Sequence, residues 1–325
     1  MAILFVGSHP DDFGGIAEPN TSLAGRDPDY TPIGTKVVGD FAEIGGGFNV
    51  NHNSAASSTT WYHFLFNTTQ NAGNYSNNDD GYWFSVYRGA TMICRLDLLN
   101  GDYYLSGGGS PSTTFAPFAI NVDITYDIKV VCDGVNVLVE LYQNGVLQIY
   151  ITYASSIGTP DRLAFEHYDM VWNTGAKSYY YSEVIVTDNE PTIGWRLATL
   201  DPAADGANTA WVGDYTDIQD LQDGLSISSG VAGEKESWTL SAYSGPATTS
   251  GVRAVVNKFL GSTGATGPSQ ITPFIRHAAT DVDGATYPMV GGEPILEVLD
   301  INPQTTLGWD TADFATLEVG VKSVA

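Results

Sequence analysis

Tyr126-Asp127-Ile128-Lys129-Val130-Val131-Cys132, then Asp133-Gly134, then Val135 to Tyr142, then Asn144-Gly145, then Val146 to Thr152: this stretch decides the fold. Ile128, Val130 and Cys132 share one phase of a two-residue period, and Asp127 and Lys129 hold the other. That alternation belongs to a half-buried strand, whose successive side chains face opposite ways. Asp-Gly and Asn-Gly between alternating runs are the strongest short-range hairpin signal, because such turns call for positive φ at both central residues. The stretch predicts three antiparallel strands in a meander.

The same period runs outward on both sides. Trp61 to Phe66, Gly81 to Tyr87, Met92 to Leu98 and Tyr179 to Val186 read as further strands. Cys94 shares the apolar phase of Met92, Leu96 and Leu98, so it and Cys132 are expected in the core, as free thiols in preference to a disulfide. Residues 1–58 are rich in Gly, Pro and Asp and read as irregular, apart from a short edge strand at Ile3 to Val6; Asn49 to Ser58 reads as loop. This segment either joins the sandwich or clasps a neighbour. Polar Asp188-Asn189-Glu190-Pro191 reads as a linker. The domains expected are 1–191 and 192–325. In the second, Trp238 to Tyr243, Val252 to Val256, Gln270 to Arg276 and Glu293 to Leu299 read as strands, and Ile218 to Leu225 as one helical turn. Several strands without one convincing amphipathic helix predict an all-β chain.

Composition agrees. The 325 residues are 43% hydrophobic, 12% aromatic and only 15% charged, with 36 glycines. Thirteen basic residues against 37 acidic ones give a net charge of −24. So acidic a chain has no basic stripe for phosphates, which excludes nucleic acid as a partner. No apolar run approaches the roughly 20 residues of a membrane-spanning helix, so no membrane insertion is expected. The N-terminus has no basic region ahead of Ile3 to Val6, so no signal peptide is expected and synthesis is placed in the cytoplasm.

Catalytic patterns are missing. Ile3 to Val6 followed by His9-Pro10-Asp11-Asp12 imitates a zinc-dependent sugar deacetylase, but none of His52, His63, His167 and His277 supplies the paired-His motif that would complete the site. There is no Gly-x-Ser-x-Gly, no phosphate loop, and no Glu-x-Asp-x-x-Glu to set two carboxyls about 5–5.5 Å apart as a retaining glycosidase requires. Two weaker possibilities remain. Asn77, Asp79 and Asp80 in one turn, and Asp281 and Asp283 in another, offer oxygens to Ca²⁺, although calcium takes about 6–8 of them. Trp83, Tyr103, Tyr104, Trp172, Tyr179 and Tyr181 are candidates to stack on a glycan. No other cofactor is expected.

Two resemblances extend this reading. The meander, with Leu141-Tyr142-Gln143-Asn144-Gly145, and the closing Tyr180-Tyr181-Ser182-Glu183-Val184-Ile185-Val186 resemble the concanavalin A-like/laminin-G jelly roll over about 60–190. Tyr181 to Val186, Gly194-Trp195-Arg196-Leu197-Ala198-Thr199-Leu200-Asp201-Pro202, Trp211-Val212-Gly213, and the ending Asn302 to Trp309 with Leu317 to Ser323 are similar to a group of tailed-bacteriophage virion proteins. The fold these imply is an N-terminal concanavalin A-like jelly-roll sandwich followed by a smaller C-terminal β sandwich or barrel. The function they imply is that of a non-enzymatic virion structural protein on the particle exterior, a tail fibre, spike or tail-associated component for host attachment. Its partners would be other virion proteins, itself in a symmetric homo-oligomer, and host surface glycan. The alternatives are a capsid decoration protein and, from another class, a free carbohydrate-binding module. A depolymerase is the weakest reading, for want of paired carboxylates.

Overall fold

A computed structural model describes residues 2–7, 14–15, 21–24, 37–41, 46–68, 81–99, 102–108, 110–115, 122–167, 178–218, 225–243, 251–264, 266–289 and 294–325. The chain divides into two compact units, Met1–Leu197 and Ala198–Ala325, a few residues past the linker read at Pro191. The described residues are all-β apart from short 3-10 turns at Tyr215–Ile218 and Asp313–Thr316. The first turn begins just ahead of the helical turn expected at Ile218 to Leu225, and 219–224 lie outside the described residues.

The first unit is built from β1 (Ala2–Gly7), β2 (Gly14–Gly15), β3 (Thr21–Ala24), β4 (Val37–Phe41), β5 (Gly46–Asn51), β6 (Thr59–Thr68), β7 (Gly81–Arg88), β8 (Thr91–Leu99), β9 (Asp102–Gly107), β10 (Ser110–Phe115), β11 (Ile124–Cys132), β12 (Asn136–Gln143), β13 (Val146–Ala154), β14 (Arg162–His167) and β15 (Ser178–Asp188). One sheet runs β13-β12-β11-β6-β15-β4-β3, with β1 also on β15; the other runs β10-β9-β8-β7-β14-β5-β2. They form the expected jelly-roll sandwich. The N-terminal segment is not irregular throughout: β1, β3 and β4 join the first sheet, and β2 and β5 join the second. β5 takes Asn49 to Asn51 out of the expected loop by pairing with β14.

Alternation fills the space between the sheets. Tyr62, Phe64 and Phe66 of β6 point inward with Ile128, Val130 and Cys132 of β11 and Val184 and Val186 of β15. Phe64 sits at the centre, its ring 5.6 Å from Phe84, 5.5 Å from Tyr126 and 5.0 Å from Phe165. The contacts with Phe84 and Phe165 are edge-to-face, a geometry that adds about 0.5–1.5 kcal/mol per pair beyond area burial. Cys94 and Cys132 are free and buried in the same core. Burial raises both thiols, Cys132 to about 11. Met92 departs from the phase read for it: a bulge where Tyr87 meets Met92 leaves Met92 exposed and turns Ile93 inward.

The two meander turns differ. Asn144 and Gly145 both have positive φ, 48° and 76°. At Asp133-Gly134 only Gly134 does, at 85°. There the Asp133 carboxylate does the turning, accepting from Val135 N at 2.8 Å and Asn136 N at 2.6 Å. Those backbone donors hold its carboxyl below the usual range.

After β15 the chain folds back over the outer face of the eight-stranded sheet. Thr192 is fully buried and its Oγ1 donates to Asp127 Oδ1 at 2.8 Å; His63 Nδ1 lies 2.8 Å from the same oxygen. Glu183, at φ 55° beside a bulge in the β15–β6 ladder, is fully buried. Arg196 Nε and Nη2 grip its two carboxylate oxygens at 2.7 Å each, and Leu197 N adds a third bond at 3.1 Å.

The second unit has β16 (Pro202–Thr209), β17 (Lys235–Leu240), β18 (Val255–Leu260), β19 (Gln270–His277), β20 (Thr280–Asp283), β21 (Tyr287–Pro288), β22 (Pro294–Leu299) and β23 (Glu318–Val324). One sheet runs β16-β17-β23-β19-β20 with β21 on β19, and β18 and β22 form a separate ladder. Ile295 of β22 packs on Trp238, Ile271 and Val321 of the sheet. Trp309 is buried with Ile275 and Leu317, and its Nε1 donates to Leu299 O at 2.9 Å.

Two outcomes are expected. Arg196→Ala strands a buried carboxylate and should lower the stability of the first unit by about 3 kcal/mol in urea unfolding. Both thiols should resist a thiol reagent in the native protein and react together once denaturant unfolds that unit.

Candidate functional site

The outer face of the seven-stranded sheet carries a polar ladder. Register places Asn49 beside Ala164, Ala164 beside Ser85, Ser85 beside Arg95 and Arg95 beside Ser106, one residue from each of β5, β14, β7, β8 and β9. Cross-strand partners share a face. Their neighbours Val50, Leu163, Val86, Cys94 and Leu105 point the other way, into the core. Flanking rows set Asn51, Arg162 and Tyr87 on one side and Asp97 and Tyr104 on the other.

The groups on this face hold one another. Asp97 Oδ2 accepts from Ser106 Oγ at 2.5 Å, and Asp97 Oδ1 forms an ion pair with Arg95 Nε at 2.6 Å. The Arg162 guanidinium lies 4.1 Å from the Tyr87 ring centroid, a cation–π stack. Asn49 Oδ1, Ser85 Oγ and Arg162 Nε have no hydrogen-bond partner. Buried polar atoms left unpaired in this way cost about 1–3 kcal/mol each. The face therefore combines an aromatic, two guanidiniums, a carboxylate, an amide and hydroxyls on a rigid sheet. That donor and acceptor mix matches a polyhydroxylated ligand.

The candidates read from sequence fall in several places. Tyr104 lies on this face, half-buried, opposite Asp97. Trp83 falls at the bulge between Tyr82 and Phe84 of β7, and Tyr179 within β15; their side chains lie outside the described residues. Trp172, Asn77, Asp79 and Asp80 lie outside them altogether. Tyr103 and Tyr181 are corrected: both are buried in the core, where the Tyr181 ring lies tilted 4.5 Å from that of Phe165. They face the partner sheet because they occupy the inward phase of their strands.

Asp281 and Asp283 are also corrected, as partners of cationic side chains in place of calcium. Asp281 meets Arg276 Nη1 at 2.7 Å and Lys235 Nζ at 3.1 Å. Asp283 meets Lys322 Nζ at 2.7 Å and Lys235 Nζ at 2.9 Å. Desolvation alone would raise both carboxyls; these bonds outweigh it and hold them below the usual range. Among the described residues no three His, Cys, Asp or Glu side chains group as metal ligands.

The ladder residues Asn49, Ser85, Arg95, Asp97, Ser106 and Arg162 escaped sequence reading. The signal available was the polar phase of Met92 to Leu98, where Arg95 and Asp97 stand two apart.

Neither a family model nor a curated protein matches this chain. Among solved structures it is similar to a sialidase at 11% identity, with a TM-score of 0.37, over 52% of this chain and 18% of that one. A structure titled "Cell entry of botulinum neurotoxin type C is dependent upon interaction with two ganglioside molecules" matches at 10% identity and TM-score 0.42, over 87% of this chain and 61% of that one. The GH131 β-glucanase catalytic domain from Podospora anserina matches at 12% identity and TM-score 0.40, over 58% and 88%. These likenesses concern strand architecture, and no residue role is taken from them.

The acidic network of the second unit has a definite pH signature. Its depressed carboxyls contribute stability above the unfolded Asp value of about 3.9, and lose it as pH falls through their lower folded values. Replacing Asp281 and Asp283 by Asn should lower Tm at pH 7, and the gap to wild type should close as pH is taken below that range.

Proposed function

We propose that this chain is a non-enzymatic structural protein of a tailed-bacteriophage virion, facing outward, whose first unit contacts host surface glycan through the outer face of the seven-stranded sheet. The observation that carries the glycan contact is the partly exposed end of the ladder, Arg95 and Ser106 with Asp97 and Tyr104 beside them, next to the fully buried Ser85 and Ala164. Sugar hydroxyls are both donors and acceptors, and sugar C–H faces stack on aromatic rings. Arg95 supplies donors from a side chain 38% exposed, Asp97 supplies acceptors, and Tyr104 supplies a ring. Strand-borne groups hold their positions better than loop-borne ones.

The non-enzymatic reading is supported by what Asp97 does. One of its oxygens accepts from Ser106 Oγ and the other is ion-paired with Arg95, which suits it to fix a ligand hydroxyl and not to shuttle a proton. The virion assignment rests on the sequence resemblance. The charge of −24 supports an exterior position, away from packaged DNA, where like charge keeps particles apart.

Glycan-array binding by the full chain tests the reading. Wild type should bind, and Arg95→Ala or Tyr104→Ala should weaken binding at least about tenfold, near 1.4 kcal/mol, with circular dichroism unchanged. Absence of signal from every glycan would overturn the glycan contact. Release of reducing ends from a bound polysaccharide would overturn the non-enzymatic part. Immunogold labelling of intact particles decides between a virion protein, whether fibre or capsid decoration, and a free carbohydrate-binding module.

A further inference from the structure

We propose that β13 is the pairing edge of a twofold homodimer, in which the β13 strands of two copies run antiparallel and join their eight-stranded sheets into one. β13 ends its sheet: it pairs with β12 on one side, and no described strand lies on the other. A strand at a sheet end presents a row of unpaired N–H and C=O groups, and natural edges are normally protected by charge, proline, shortness or a bulge. β13 is nine residues long and holds neither a proline nor a charged residue. Its one irregularity lies opposite Leu141 and Tyr142, near the Asn144-Gly145 turn, where Gln148 Nε2 also takes Val146 O. Ile149 to Ala154 beyond it pair in regular register.

Ile149 and Ile151 face the core, and beside the exposed Gln148 and Thr152 this edge leaves apolar side chains open to solvent. Val146 is 61% exposed, Leu147 45% and Tyr150 63%, and Val135, beside the far end of β13, is 68% exposed. Ser155 N donates to Val135 O, which fixes Val135 at that end.

Charge selects a second copy as the occupant. The whole chain carries −24, so two copies repel over most of their surface. From Gly134 to Pro160 the one charged residue is Glu140, and Lys129 neutralises it at 2.9 Å. This is where another copy can approach without meeting its own sign. A twofold axis then satisfies the edge automatically, since each strand offers the other the pattern it needs. The contact uses a sheet edge and leaves the outer face of the seven-stranded sheet free, so it stands or falls independently of the glycan reading.

Light scattering behind size exclusion on the full chain should give twice the 34.7 kDa monomer mass. A monomer at every concentration up to about 100 µM, a hundred times a micromolar Kd, would overturn the proposal. Leu147→Lys with Tyr150→Lys should give a monomer of unchanged circular dichroism; a dimer that survives the double change places the interface elsewhere and also overturns it. Single cysteines at Gln148, Tyr150, Thr152 and Ala154 guard against a misfolded double variant. Under mild oxidation one position, next to the axis, should cross-link most strongly, with yields falling on either side. Cys94 and Cys132 are buried and do not compete. Equal or absent cross-linking at all four positions contradicts antiparallel pairing.

Discussion

The ring of Phe64 is the contact on which the first unit depends. It touches Tyr126 in its own sheet and Phe84 and Phe165 in the other, so one side chain sets the spacing of both layers. Close-packed interiors leave no slack for such a residue to move. With the spacing fixed, a one-residue slip in β6, β7 or β14 would send an aromatic to solvent and a polar residue to the core. The register of the outer faces follows from the packing of the inner ones. Arg95 stands beside Ser106 and Ser85 because Cys94 and Leu96 have nowhere else to go.

The two outer faces then have different fates. That of the eight-stranded sheet is covered by the returning chain, with Thr192, Asp127 and His63 buried beneath it and Glu183 clamped by Arg196. That of the seven-stranded sheet buries Ser85 and Ala164 fully but leaves Arg95, Asp97, Tyr104 and Ser106 partly exposed. Burial converts polar residues into struts; partial exposure leaves Arg95, Asp97, Tyr104 and Ser106 to meet a ligand. Polarity alone does not separate the two cases, since His63 and Asp127 look as functional in sequence as Arg95 and Asp97.

Legibility follows from how local each signal is. The β11–β12–β13 meander was readable because period and turn residues lie within one continuous stretch. The turn at Asp133 still differed, since a carboxylate capping two amides replaces a left-handed residue there. β2 to β5 were not readable: they are short, and β4 and β5 become strands by pairing with β15 and β14, far along the chain, while β3 and β2 pair on them in turn. The ladder was the least readable feature, because Asn49, Ser85, Arg95, Ser106 and Ala164 become neighbours through register alone. Tyr103 and Tyr104 make the point at the scale of one bond: adjacent tyrosines of equal appeal, one in the core and one on the surface.

The clamp between Arg196 and Glu183 also has a mechanical consequence. β1 lies antiparallel to β15, with Ala2 beside Asp188 and Gly7 beside Val184. Without the clamp, tension applied through the two ends of this unit would peel that ladder open one bond at a time, starting at Ala2. Anchoring the departing chain at Glu183 moves the point of pull to the opposite end of the ladder. The same tension then acts along the strands, in shear, and loads their hydrogen bonds together.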